Sequence, residues 1–219
     1  MPPGPALKLT DRAKTQFREH MNHRIDFDEL FLQLNHLPDF AQWIFHPGML
    51  FDSRRKWWTQ QGLRRSAHEG IDFCLYANQR GSIRSLEPGA RVPAMEQGTV
   101  VSMQKDLLGN TVFVRHDTFS PDGWPLCSIY AHVQIHAQIA PGSEVSPGDC
   151  LASVAAPDKF IAGMLPHLHL SLAWIDPARL LDSGPDWEMI NSRTGLQLVD
   201  PMRFLSCSHQ VKDPSPHQN

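Results

Sequence analysis

Pro166-His167-Leu168-His169-Leu170-Ser171-Leu172-Ala173 is the stretch on which the reading of the fold turns. Leu168, Leu170 and Leu172 alternate with His169, Ser171 and Ala173, and a period of two belongs to a strand whose faces meet different surroundings. The leucines take the core side, while His167 and His169, two apart, project together from the other face. The same period recurs upstream: Ile71, Phe73 and Leu75 against Asp72 and Cys74, and Val112 and Val114 against Phe113 and Arg115. Turn signals stand between these runs at Pro88-Gly89, Gly98, Gly109-Asn110, Pro121-Asp122-Gly123, Pro141-Gly142 and Pro147-Gly148. A turn roughly every 10 residues predicts a mainly β chain, an antiparallel domain over about 68–205.

The flanks have a different texture. Thr10 can cap a helix over Asp11–Met21, and Phe27, Leu30, Phe31 and Leu34 recur at helical spacing over a second short helix. Pro38 and Pro47-Gly48 break that pattern. The last dozen residues are polar and proline-containing and read as a disordered tail.

Composition narrows the function. With 219 residues, 41% of them apolar, the chain can build one sizeable core with an appended segment. Its 20 basic and 23 acidic residues leave a net charge of −3, which argues against a dedicated nucleic-acid binder. No apolar run approaches the roughly 20 residues of a membrane-spanning helix. Cys74, Cys127, Cys150 and Cys207 are far apart and form no C-x-x-C pair, so they read as free, mostly buried thiols. The start Met-Pro-Pro-Gly-Pro-Ala-Leu-Lys lacks the apolar stretch of a secretory signal.

Twelve histidines pose the question of which converge. His20 and His23 read as a solvated helix face; His36, His46, His136, His209 and His217 as surface or loop residues; His116 is ambiguous. Three clusters carry chemistry: His68-Glu69-Gly70-Ile71-Asp72, Tyr130-Ala131-His132 and His167-Leu168-His169. Catalytic zinc needs three protein ligands and an open fourth position. His68, Asp72 and one of His167 and His169 supply that count, and the remaining imidazole stands where a general base is required. The helical H-E-x-x-H alternative is disfavoured, because the fifth position is Asp72 and Gly70 interrupts the helix.

His68-x-Gly70-x-Asp72, Tyr130-x-His132 and Pro166-His167-Leu168-His169 together resemble the lysostaphin/LytM-type zinc metalloendopeptidases. Pro88–Ala94, Gly98–Val101, Gly109–His116, Val145–Asp149 and Asp200–Leu205 are similar, in order, to further segments of that family. The resemblance implies the family's antiparallel β domain over 66–205; outside it, the residue pattern itself gives a helical segment 1–65 before that domain and a flexible tail 206–219 after it. It implies one zinc per chain on His68, Asp72 and His169, with His132 and His167 as the catalytic pair. It further implies peptidoglycan stem peptides or cross-bridges as substrate, a metal-activated water as nucleophile, and an envelope or periplasmic location; without a visible signal, the cytoplasm stays open. The rival is a metal-binding module without turnover that activates or docks another cell-wall hydrolase. Three stretches depart from the family pattern, Cys74–Glu87, Asp117–Ile129 and Ala155–Leu165, and are expected to line the groove.

Overall fold

The alternating leucines at 168–172 lie on the strand around which the sheet is ordered. The computed structural model describes residues 26–37, 39–59, 62–156, 163–182 and 184–213. The helix expected over Asp11–Met21, with His20 and His23, lies outside them, as does His217.

In chain order the elements begin with helix α1 (Phe27–Asn35) and strands β1 (Phe40–Phe45), β2 (Ile71–Phe73), β3 (Leu75–Asn78) and β4 (Ile83–Ser85). There follow β5 (Arg91–Pro93), β6 (Gly98–Lys105), β7 (Asn110–Phe119), β8 (Pro125–Ile135), β9 (Glu144–Val145), β10 (Cys150–Val154) and β11 (Leu168–Ile175). Helices α2 (Pro177–Asp182) and α3 (Trp187–Ser192) and strands β12 (Leu196–Val199) and β13 (His209–Val211) close the described chain. The larger sheet runs β12-β11-β8-β7-β6-β9, with β2 on β11 and β10 bridging β5 and β8; the smaller runs β13-β1-β3-β4. No helix among the described residues is long and apolar enough to cross a membrane.

Both faces of the large sheet are covered. Val112, Val114, Tyr130, Leu168, Leu170 and Leu172 enter the main core, which continues into the aromatic cluster of Phe27, Phe31, Trp43 and Phe73 beneath α1. Phe113, Cys127, Ile129, Ala173 and Ile175 face the other way into a smaller core with Ile190 of α3. His169 and Ser171 lie on that second face, in register with Ala131 and Ile129 of β8.

Several expectations need correction. Residues 40–45, read as part of a helical segment, form β1, whose Trp43, Ile44 and Phe45 are all buried; over those three residues both faces are covered and there is no alternation to read. The tail is tied down through residue 213. β13 pairs in parallel with β1, and the buried carboxylate of Asp28 accepts from the Cys207 and Ser206 amides at 2.7 and 3.2 Å. Residues 74–87 form β3 and β4 of the small sheet, because the chain leaves β11 at Cys74 and crosses to β1. Asp117–Ile129 extends the β7–β8 hairpin around the turn at Ser120–Trp124. His46 is buried, its Nδ1 accepting from Gly48 N at 2.8 Å. His116 is a satisfied core residue between Gln97 O and Ser128 Oγ. Of the thiols, Cys74 and Cys127 are buried, while Cys150 and Cys207 are half-buried.

Candidate active site

Strand register brings the first three residues together. Asp72 of β2 lies directly opposite His169 of β11, and His68 precedes β2 on the same side. Gly70 makes this approach possible: a Cβ there would sit 2.1 Å from Leu170 O. His68 Nε2 lies 3.1 Å from Asp72 Oδ1 and 3.0 Å from His169 Nδ1, and His169 Nδ1 lies 2.9 Å from Asp72 Oδ1. All three residues are buried.

Hydrogen bonding fixes which atoms face inward. His68 Nδ1 contacts Leu50 O at 3.0 Å. A carbonyl only accepts, so Nδ1 carries the proton and, in the neutral ring, Nε2 presents its lone pair to the Asp72 carboxylate. Two acceptors at that distance in a buried site need a proton or a metal ion between them. The near-equilateral triangle of two imidazole nitrogens and one oxygen also suits a small tetrahedral ion, whose bonds of ~2.0–2.1 Å set donors about 3.3 Å apart. His68, Asp72 and His169 therefore form a group that can hold a metal ion. Behind it, His169 Nε2 meets Ser171 Oγ at 2.7 Å, and Trp57 Nε1 donates to Asp72 Oδ2 at 2.7 Å. Burial opposes ionisation of Asp72, yet in the metal-free site the charge of a protonated His68 and hydrogen bonds from His169 and His68 outweigh it and hold the carboxyl well below its usual range.

His132 and His167 flank this group. Their ring centroids are 4.9 Å apart, and His132 lies 5.8 Å from His169. His167 Nδ1 donates to Leu165 O at 2.8 Å, leaving Nε2 bare in the neutral ring. Burial, partly offset by Asp72 and reinforced by His132, pushes His167 down to about 4, so the ring is neutral near pH 7.

His132 reaches the site by a backbone device. By parity with Ala131, which pairs with His169, its side chain belongs on the core face. The β7–β8 register shifts here, with Val112 opposite Tyr130 and Asn110 opposite Val133, so Ala131 and His132 bulge. His132 takes a left-handed φ of 64°, and the ring turns to the histidine face. The displaced His132 N–H finds Asp106 Oδ2 at 2.9 Å, and ring Nδ1 donates to Asp106 Oδ1 at 3.2 Å. Leu108 N, Gly109 N and Thr111 Oγ1 each donate to the same carboxylate at 2.8 Å. Burial would raise the Asp106 pKa, but the His132 and Leu108 hydrogen bonds and the His132 charge hold it far below the carboxylate range.

Asp106 and Trp187 are absent from the sequence reading. Trp187 Nε1 donates to Thr111 Oγ1 at 2.9 Å, and its ring stands 5.8 Å from His169, walling the site. Asp186 before it accepts from Met189 N at 2.7 Å, a helix-start signal that was available in the sequence. Glu69 is half-buried and accepts from Ser66 Oγ at 3.2 Å.

Comparison with curated proteins finds no match. Among solved structures, CbpA of L. salivarius REN aligns at 17% identity and a TM-score of 0.43, over 75% of this chain and 92% of its own. Lysostaphin of Staphylococcus simulans aligns at 18% identity and a TM-score of 0.43, over 84% of this chain; the chain spans 54% of lysostaphin's length. The family model for peptidase family M23 matches residues 66–179, a span that holds His68, Asp72, Asp106, His132, His167 and His169. The chain belongs to peptidase family M23.

Proposed function

We propose that the chain is a zinc-dependent endopeptidase that hydrolyses peptide bonds in peptidoglycan stem peptides or cross-bridges and works in the cell envelope. One zinc per chain would be held by His68, Asp72 and His169. The observation that carries the reading is the convergence of three buried lone-pair donors on one point, flanked by two imidazoles with free Nε2 atoms.

When bound, zinc supplies Lewis acidity, polarising a carbonyl and making water acidic near neutral pH. The chain's residues supply the proton traffic. Hydrolysis moves one proton from the attacking water and delivers one to the leaving amine, and a neutral imidazole within reach can do both in turn. His132 and His167 both qualify, since each has its Nδ1–H committed to a fixed acceptor. The ring that does not take the proton can hold the developing oxyanion once it carries a proton itself. Asp106 accepts from His132 Nδ1 and so fixes the ring's orientation, while Trp57 and Trp187 shield the flanks.

The test is metal analysis of the purified chain together with digestion of purified peptidoglycan, the fragments identified by mass. New amino and carboxyl ends support the proposal. Bound zinc with no new ends points to the metal-binding module without turnover.

A further inference from the structure

We propose that Trp57 is a positioning residue for Asp72, assisted by Arg64, and that the excursion carrying them sets how tightly the chain holds its metal. This rests on the metal-centre reading above. The family match begins at residue 66, so both residues lie in a part of the chain that the match leaves out.

The Asp72 carboxylate has two dissimilar ends. Oδ1 faces His68 Nε2 and His169 Nδ1 at 3.1 and 2.9 Å. Oδ2 points away from them, accepts from Trp57 Nε1 at 2.7 Å and lies 3.5 Å from Arg64 Nη2. With Oδ2 engaged, the carboxylate cannot rotate to offer both oxygens to one ion without breaking the indole hydrogen bond. The indole thus selects single-oxygen ligation, the mode that keeps coordination low and leaves a position open. The same ring meets His167 edge-on, centroids 5.0 Å apart at 90°, so one side chain braces a ligand and a flanking imidazole together.

Trp57 is itself well seated. Residues 52–56 run back against 62–68: Asp52 N donates to His68 O, Lys56 N to Gly62 O and Arg64 N to Arg54 O, with a bridge between Arg55 and Leu63. Arg64 Nη1 donates to Gly48 O at 2.6 Å and to Arg55 O, and its guanidinium lies over the Trp58 ring at 5.0 Å. Gly48 permits the close pass, since a Cβ there would sit 2.9 Å from Trp57 N. At the far end Asp213 accepts from Arg55 at 2.7 Å and contacts His46 Nε2 at 3.1 Å, so the chain after β13 also anchors the excursion.

The experiment compares the full chain with Trp57→Phe, which keeps an aromatic ring and removes the N–H, and with Arg54→Gln as a control on the same excursion. Zinc affinity is read by competition with a chromogenic chelator, ligand geometry by the visible spectrum of the cobalt(II) form, and packing by the melting temperature of the metal-free protein. Trp57→Phe should bind zinc about 10–100-fold more weakly, with an altered cobalt spectrum, and the metal-free melting temperature should fall by no more than the loss of one hydrogen bond explains. Arg54→Gln should match the parent. Affinity of Trp57→Phe within about twofold of the parent overturns the inference, because loss of such a partner is expected to cost at least about tenfold. A loss with an unaltered cobalt spectrum, or one shared by Arg54→Gln, overturns it too, since Trp57 would then be a packing residue only. A parent chain that binds no zinc overturns the metal-centre reading itself.

Discussion

Replacing Asp106 by Asn should separate the proton chemistry at His132 from metal binding. The substitution preserves volume but leaves one acceptor oxygen where the carboxylate has two. Asp106 Oδ1 takes Leu108 N, Gly109 N and His132 Nδ1; Oδ2 takes His132 N and Thr111 Oγ1. Asparagine would keep its oxygen with the two loop amides and turn its NH2 toward the bulged His132 N–H, donor against donor. Thr111 Oγ1 already accepts from Trp187 and has limited freedom to compensate. One to two hydrogen bonds to a charged group are lost, each worth about 1.5–3 kcal/mol, so the fold should lose about 2–4 kcal/mol. His132 also loses the carboxylate that accepts its Nδ1–H and fixes its ring, and a general acid–base contribution is ~10²–10⁴-fold, so kcat should fall by at least about 10². Asp106 touches none of His68, Asp72 and His169, so bound zinc should be unchanged. The assay is urea unfolding, metal analysis and release of amino ends from peptidoglycan. Activity within threefold of the parent, against the ~10²-fold loss expected, or loss of zinc would refute the role given to Asp106.

Further expectations follow from other contacts. Gly70→Ala places a methyl 2.1 Å from Leu170 O and 2.6 Å from Ser171 Oγ, so β2 must move off β11. It should cost at least about 1–3 kcal/mol and most of the bound metal, read by calorimetry and metal analysis; a metal-replete variant of parental stability would show the β2–β11 approach to be looser than described. Asp28→Ala leaves the Cys207 and Ser206 amides without their acceptor and should destabilise the protein by about 1–3 kcal/mol while exposing Cys207 to thiol reagents. Asp106 has a depressed pKa, so its stabilising contribution is complete above the unfolded value near ~3.9 and is lost as pH falls toward the folded one. Acid unfolding below about pH 4 should accordingly be shallower in Asp106→Asn than in the parent, and identical acid profiles would contradict that share.

The sequence was most legible where one face of a strand differs from the other. At 168–173 the leucines enter the main core while His169 and Ser171 look into a polar pocket, and the period of two survives in the residue pattern. β2 broke that rule in part: Asp72 is as buried as its neighbours Ile71 and Phe73, because those two enter the core while Trp57 covers Asp72 on the other side. β1 ends on three consecutive buried residues, Trp43, Ile44 and Phe45, which show no alternation, and its partner β13 is a three-residue strand with little local signal. Proximity among His68, Asp72 and His169 came from a short motif meeting a strand register, which spacing can suggest. Asp106 could not be found that way. It lies 26 residues from His132 and matters because a bulge leaves one amide without a ladder partner. Trp57 likewise owes its place to a loop closure, not to a periodicity.

The central claim is that His68, Asp72 and His169 bind one zinc while His132 and His167 do chemistry without binding it. The most direct measurement is zinc stoichiometry after dialysis for the parent, His167→Ala, His132→Ala and His169→Ala. About one equivalent is expected in the first three and little in His169→Ala, which keeps only two ligands. Peptidoglycan release should survive in the parent alone. Equal zinc loss in His167→Ala and His169→Ala would contradict the assignment of His169 as a ligand and His167 as a flanking imidazole.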